Sequence, residues 1–309
     1  MTLLRNGKPA EKQGRKAIGP SPELRIGSLA TERRVFLRQF LSLLVVLLLF
    51  LPLESTVAQA ALSTSQTKNE ATINTKSLAK GIISVGFKTK SGKKAKVGIT
   101  KNGKTYYYNL PNNGTLTQFP LQMKNGEYTV TVFEHTKGNY YKSATSKKVT
   151  LKLKDSKTVF LQSVQNVKWT RSMSPIKTAT KLVKGKTRTE DKVRSIQNYV
   201  ARNVKYDYEK YRNVKSGYLP NINTTYKSKK GICYDYAALF GSMLRSQGIP
   251  AKLVTGYSTN AKGLHAWNEV YIKELKKWVI IDTTVDAATK NSGKSIYKKA
   301  SDYKKQYEY

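Results

Sequence analysis

Gly231-Ile-Cys-Tyr-Asp-Tyr-Ala-Ala-Leu-Phe, His265-Ala-Trp-Asn-Glu-Val-Tyr and Trp278-Val-Ile-Ile-Asp-Thr-Thr are the three stretches that decide the fold of this 309-residue chain. The first opens a helix, because Tyr236, Leu239, Phe240, Met243 and Leu244 fall on one face and Gly248, with Pro250 beyond it, ends the run. Ala251–Tyr257 and the second and third stretches give strands at 251–257, 265–272 and 278–283. Cys233 therefore stands at a helix start, with His265 and Asp282 on two strands joined by a short lysine-rich turn.

Cys233 is the only cysteine of the chain, so it makes no intramolecular disulfide. Thiol, imidazole and carboxylate are the parts of an acyl-transfer triad, in which the imidazole takes the thiol proton and the carboxylate orients the imidazole. The positive end of a helix dipole and a neighbouring imidazolium both favour a thiolate. If His265 and Asp282 are directly opposed, the turn centres near Lys273 and their Cβ atoms lie about 5 Å apart. A one-residue slip would turn one of them to the other face. For the oxyanion, the backbone N–H of Cys233 is one donor and Tyr226 a second candidate. Trp267 shares the face of His265 and Asn268 does not, and both are read as shaping or supporting the site. Asp235 reads as a first-turn acid favoured by the helix dipole.

Together with Arg245-Ser-Gln-Gly-Ile-Pro-Ala and Gly256-Tyr, these stretches resemble the transglutaminase-like superfamily over about residues 185–290. The resemblance implies a papain-like α+β fold, with a helix carrying the cysteine packed on an antiparallel sheet carrying histidine and aspartate. Cys233, His265 and Asp282 match the family's triad positions. It further implies chemistry on amide bonds through a thioester, ending in crosslinking when an amine is the second nucleophile and in hydrolysis when water is. It implies nothing before residue 170.

Residues 39–53 (QFLSLLVVLLLFLPL) form an apolar run that is short for a bilayer span and suits a signal peptide. Arg33, Arg34 and Arg38 precede it, and Ala58-Gln59-Ala60 follows as a cleavage site that leaves Ala61 first. The expectation is a secreted or cell-wall-associated protein, with an uncleaved membrane anchor as the alternative. The chain holds 56 Lys plus Arg against 19 Asp plus Glu, and residues 1–60 account for 9 and 4 of these. The remainder carries 47 against 15, a net charge of +32 that is nearly all lysine. Such a field holds a protein against a polyanion, here an anionic cell-wall polymer in preference to nucleic acid.

The grammar changes near residue 170. Before it, Asn102-Gly103, Asn113-Gly114 and Asn125-Gly126 punctuate short alternating runs, including a hairpin from Lys96 to Leu110 and a half-buried strand from Glu127 to Phe133. This predicts an all-β immunoglobulin-like or fibronectin-like sandwich over 79–170, after a signal peptide at 1–60 and a linker at 61–78. Beyond it, in a transglutaminase-like domain over 171–309, Thr187-Arg-Thr-Glu190 reads as a capping box for a helix at 188–203, and Ser295–Tyr309 as a short closing helix.

Zinc finds no ligand spacing among two histidines and one cysteine, and there is neither a nucleophile elbow around a serine nor a phosphate-binding glycine loop. No cofactor or metal is expected. Two readings remain: a cysteine acyl-transferase or hydrolase acting on a protein or peptide bearing amide groups, and a basic wall-binding or adhesion protein whose enzyme-like domain does not turn over.

Overall fold

The computed structural model of the chain describes residues 70–89, 92–289 and 295–309. The segment read as a signal peptide, 1–60, lies outside the described residues, as does 61–69 of the stretch read as linker. Among the described residues no helix is long and apolar enough to cross a membrane.

The first half is built of strands β1 (Glu70–Asn74), β2 (Ile82–Lys88), β3 (Ala95–Lys101), β4 (Lys104–Leu110), β5 (Thr117–Pro120), β6 (Gly126–His135) and β7 (Tyr141–Leu151). β1 falls inside the stretch read as linker and pairs with β2. Two antiparallel sheets result, in the orders β1-β2-β5 and β4-β3-β6-β7. Asn102 and Gly103 join β3 to β4 with φ of 48° and 77°, the left-handed conformation that a two-residue hairpin turn demands. Period-two alternation points Tyr128, Val130 and Val132 of β6 inward, where they share one core with Ile83, Val85, Phe87 and Phe119 of the other sheet. Tyr106 and Tyr108 enter the same core, while Tyr107 between them points to the opposite face.

The second half runs α1 (Ser174–Val183), α2 (Thr189–Asn203), β8 (Lys205–Tyr206), α3 (Tyr208–Asn213), α4 (Ile222–Ser228), β9 (Lys230–Gly231), α5 (Cys233–Ser246), β10 (Ala251–Ser258), β11 (Ala261–Ile272), β12 (Lys277–Ile281), α6 (Thr283–Ala288), β13 (Tyr297–Lys298) and β14 (Tyr303–Glu308). A five-stranded antiparallel sheet in the order β13-β12-β11-β10-β14 receives α5. Twelve of the fourteen residues of α5 are buried, which makes it the central helix rather than a surface one. Leu239, Phe240, Met243 and Leu244 pack with Val193, Ile196 and Val200 of α2 and with Leu253, Val270 and Ile272 of the sheet. Truncating Phe240 to Ala there would cost about 3–5 kcal/mol.

Three expectations are corrected. α2 starts at Thr189, so Thr187 is not its cap; the Glu274 carboxylate, in the β11–β12 turn, accepts the Thr189 N–H at 2.8 Å instead. The third strand ends at Ile281, because Asp282 caps α6 by accepting the N–H groups of Thr284 and Val285. The tail is an edge strand and not a helix, since β14 pairs antiparallel with β10. Buried Arg245 fastens its end, donating to the carbonyls of Ala251 at 2.8 Å, Gln162 at 2.7 Å and Tyr309 at 2.6 Å. Burial lowers the guanidinium pKa to about 9.

The two halves meet along β4 and β14. The Gln165 side-chain amide accepts from Asn109 N–H and donates to Asn109 O, at 3.2 and 2.7 Å. Lys104 donates to the carbonyl of Gln306 and Gln122 to that of Glu308, so side chains of the first half satisfy the outer edge of β14.

Candidate active site

Cys233 is the first residue of α5, and the preceding turn is tight. A Cβ on Gly231 would lie 2.6 Å from that of Asp235, so only glycine allows the chain to enter the helix this way. Asp235, wholly buried, accepts the Ile232 N–H at 2.9 Å, the Lys210 ammonium at 2.7 Å and the Tyr218 hydroxyl at 2.5 Å. It thus does more than complement the helix dipole: it ties the 214–219 loop to the start of the cysteine helix. Burial, then the Asp235 carboxylate, pushes the Tyr218 phenol far above its usual range and keeps it a donor.

His265 and Asp282 are both buried, and the His265 Nε2–H donates to Asp282 Oδ2 at 2.7 Å. Their register differs from direct opposition. Asn268 pairs with Ile281 and Ile272 with Lys277, which sets the intervening turn at 273–276 and places Asp282 two positions off the residue opposite His265. A two-residue offset preserves the face, as a one-residue slip would not, and a diagonal pair is within reach of a long side chain. Cys233 lies near enough to the ring to act on its titration. Burial acts to lower the imidazole pKa, but the hydrogen bonds and charges of Asp282 and Cys233 outweigh it and raise the value to about 10. The surroundings thus favour the charged form of the ring.

The supporting residues divide. Trp267 stacks on His265 at 6.2 Å between ring centroids. Asn268 turns to the other face and donates to Ala237 O at 3.0 Å and Lys252 O at 3.1 Å, bracing α5 against β10. Tyr226 is not brought to the site. The seven residues before Cys233 are not a loop: α4, a left-handed turn at Lys229 and β9 direct Tyr226 away, where it shares a hydrogen bond with Thr178 and stacks on Tyr199.

A cavity of about 470 Å³ opens on Cys233 and His265. Tyr107 and Asn109 of β4 form one wall, the 214–219 loop another, and Tyr307 and Tyr309 a third. The last two, with Tyr303 and Tyr218, were missed from sequence. Tyr307-Glu308-Tyr309 carries the period-two signal that would have read the tail as a strand.

Residues 176–283 match the family model of the transglutaminase-like superfamily, so this segment of the chain is similar to that superfamily's core domain. It is 31% identical over 126 residues to UPF0252 protein MJ1282 of Methanocaldococcus jannaschii, a match that covers 38% of this chain. The chain spans about a third of that relative, 36% of its length. A solved structure of a candidate cysteine protease from Cytophaga hutchinsonii is 28% identical, covers 40% of each chain and has a TM-score of 0.34. The periplasmic domain of TgpA from Pseudomonas aeruginosa is 13% identical, covers 68% of this chain and 71% of that one, and has a TM-score of 0.35.

Proposed function

We propose that this protein is an exported cysteine enzyme that cleaves or transfers amide bonds through Cys233, His265 and Asp282. The observation that carries the reading is the buried His265–Asp282 hydrogen bond of 2.7 Å beside the chain's only cysteine. The Cys233 sulfur attacks the amide carbonyl, His265 protonates the departing amine, and a thioester remains. Asp282 holds the imidazole edge-on and offsets its charge. The oxyanion is received by the Cys233 backbone N–H, one of the first four in α5 that lack an intrahelical acceptor.

Water is the favoured second nucleophile. A lysine-type acceptor entering the cavity meets Lys96 and Lys215, and among its described lining residues there is no Asp or Glu to receive an ammonium. Like charges at close range disfavour that approach. The expected product is therefore mainly the free acid, with crosslinked product minor at millimolar amine. The charge of +32 beyond residue 60 suits retention on an anionic wall polymer, and protein collected outside the membrane should begin near Ala61 by mass spectrometry.

The decisive test needs no substrate. An activated thiol reacts with iodoacetamide at pH 6, where an ordinary cysteine of pKa about 8.5 is almost wholly protonated. Wild-type protein should be alkylated at Cys233 at least ten times faster than His265→Ala. Equal rates would leave the non-catalytic, wall-binding reading in place of this one.

A further inference from the structure

Asp282 receives four hydrogen bonds, and one comes from β14, twenty-one residues further along the chain. Oδ1 accepts the backbone N–H groups of Thr284 and Val285, each at 3.1 Å. Oδ2 accepts His265 Nε2–H at 2.7 Å and the Tyr303 hydroxyl at 2.9 Å. A carboxylate offers about four lone-pair sites, so every one is filled. The Tyr303 ring also packs on Trp267 at 5.0 Å, and Trp267 in turn stacks on His265. The imidazole is thus held at its edge through Asp282 and at its face through Trp267, and both routes end at Tyr303.

The chain brings Tyr303 there by a close strand approach. Ser258 of β10 pairs with Tyr303 of β14, and two register steps away a Cβ on Gly256 would lie 2.1 Å from the Lys304 carbonyl oxygen. Only glycine lets β14 lie this near, and the Tyr303 hydroxyl reaches Asp282 as a result. Burial, then the Asp282 charge, holds the phenol pKa far above its usual range, so the hydroxyl stays a donor at any working pH. A hydroxyl that merely satisfied a buried carboxylate would need neither the shared oxygen nor the contact with Trp267.

We propose that Tyr303 is a positioning residue of the triad: by filling the second lone pair of Asp282 Oδ2 it fixes the one that receives His265. This rests on the reading of Cys233, His265 and Asp282 as catalytic. The test is Tyr303→Phe in the full chain, which removes the hydroxyl and keeps the ring on Trp267, with iodoacetamide alkylation of Cys233 at pH 6 as the readout. The expected rate is about tenfold below wild type, the scale of one hydrogen bond to a charged group. In an Asp282→Asn background the same change should have no further effect, since there is no oriented carboxylate left to lose. A wild-type rate for Tyr303→Phe overturns the proposal, as does an equal fractional loss in both backgrounds. Any general weakening of the fold would carry into both backgrounds alike, so the cycle decides even if the melting midpoint falls. If wild type itself reacts no faster than His265→Ala, it is the catalytic reading that fails first, and the positioning role goes with it.

Discussion

The two halves of the molecule bury polar groups very differently. The β half buries Thr89, Gln122 and Glu134, whereas the half that begins after β7 buries Asp235, Arg245, His265, Asn268, Asp282 and Asp286 among others. Burying a charge is costly unless it is paired and hydrogen-bonded, so each of these groups has a partner to be named. Asp235 has Lys210 and Tyr218; Asp286 has Lys298 and, at 2.6 Å, Gln197; Asp282 has His265 and Tyr303. Only Asp282 is paired with an imidazole. A lysine ammonium fixes a buried carboxylate permanently, but an imidazolium can give up its proton and take it back. Of three similar acid sites, the one with the imidazole is therefore the one to which the proposed chemistry is assigned, while the other two hold the frame around it.

The largest effects should separate those acids by function. Cys233→Ala and His265→Ala should each remove turnover by about a thousandfold or more, with Asp282→Asn less severe. Asp286→Asn, which keeps the hydrogen-bonding shape without the charge, should stay within about threefold of the wild-type rate per folded molecule. A loss at Asp286 as large as that at His265 would mean that the framework and the chemistry are not separable.

Stability should rank the same residues in the reverse order. Asp286→Ala leaves Lys298 beside an empty buried site and should cost about 3 kcal/mol by urea titration. Cys233→Ala should cost less than half of that, because the thiol packs at the cavity wall. In the β half the open Glu127–Lys148 pair should matter less, and Glu127→Gln should cost under about 1 kcal/mol.

Residues with a repeating pattern were legible in advance, and those set by a distant partner were not. The run from Tyr236 to Leu244, ended by Gly248, carries the helical period and its stop signal within one window. The face shared by His265 and Trp267 follows from alternation alone. The two-residue offset of Asp282 is fixed by the length of the 273–276 turn and by the capping of α6, neither of which alternation reports. Glu274, rather than Thr187, serves α2 because a turn eighty-five positions later folds beside it. Tyr226 was drawn to the site by sequence proximity to Cys233, and Tyr303 was overlooked for its distance; in each case the strand and helix path, not the interval, decides.

A smaller effect is expected from pH. His265 has a folded-state pKa raised to about 10 against an ordinary value of 6.5. For a base raised in the folded state, the stabilisation is fully present below the unfolded pKa and is lost as pH rises through the folded one. The melting midpoint of wild type relative to His265→Ala should therefore be highest near pH 6 and fall steadily between about pH 6.5 and 10. A difference that grew over this window would show that the imidazole is held neutral and that Asp282 does not pair with it as an ion.

The smallest effect concerns the lysines of the β half, and it tests whether their work is local at all. Lys147 and Lys148 stand exposed on β7, the outer strand of its sheet, and Lys148 meets Glu127 at 3.0 Å with side chains 73% and 57% exposed. So open a pair contributes little, and Lys147→Gln with Lys148→Gln should move the melting midpoint by no more than about 2 °C. Retention on an isolated anionic cell wall should still shift to slightly lower salt, because each lysine adds to a summed field whose reach falls from about 30 Å at 0.01 M to about 3 Å at 1 M. Alkylation of Cys233 should be unchanged, since a neutral reagent in a cavity owes nothing to long-range attraction. Retention that survives molar salt would instead require a specific binding site in the β half, and the contrast between a frame that binds through charge and a frame that holds chemistry would have to be redrawn.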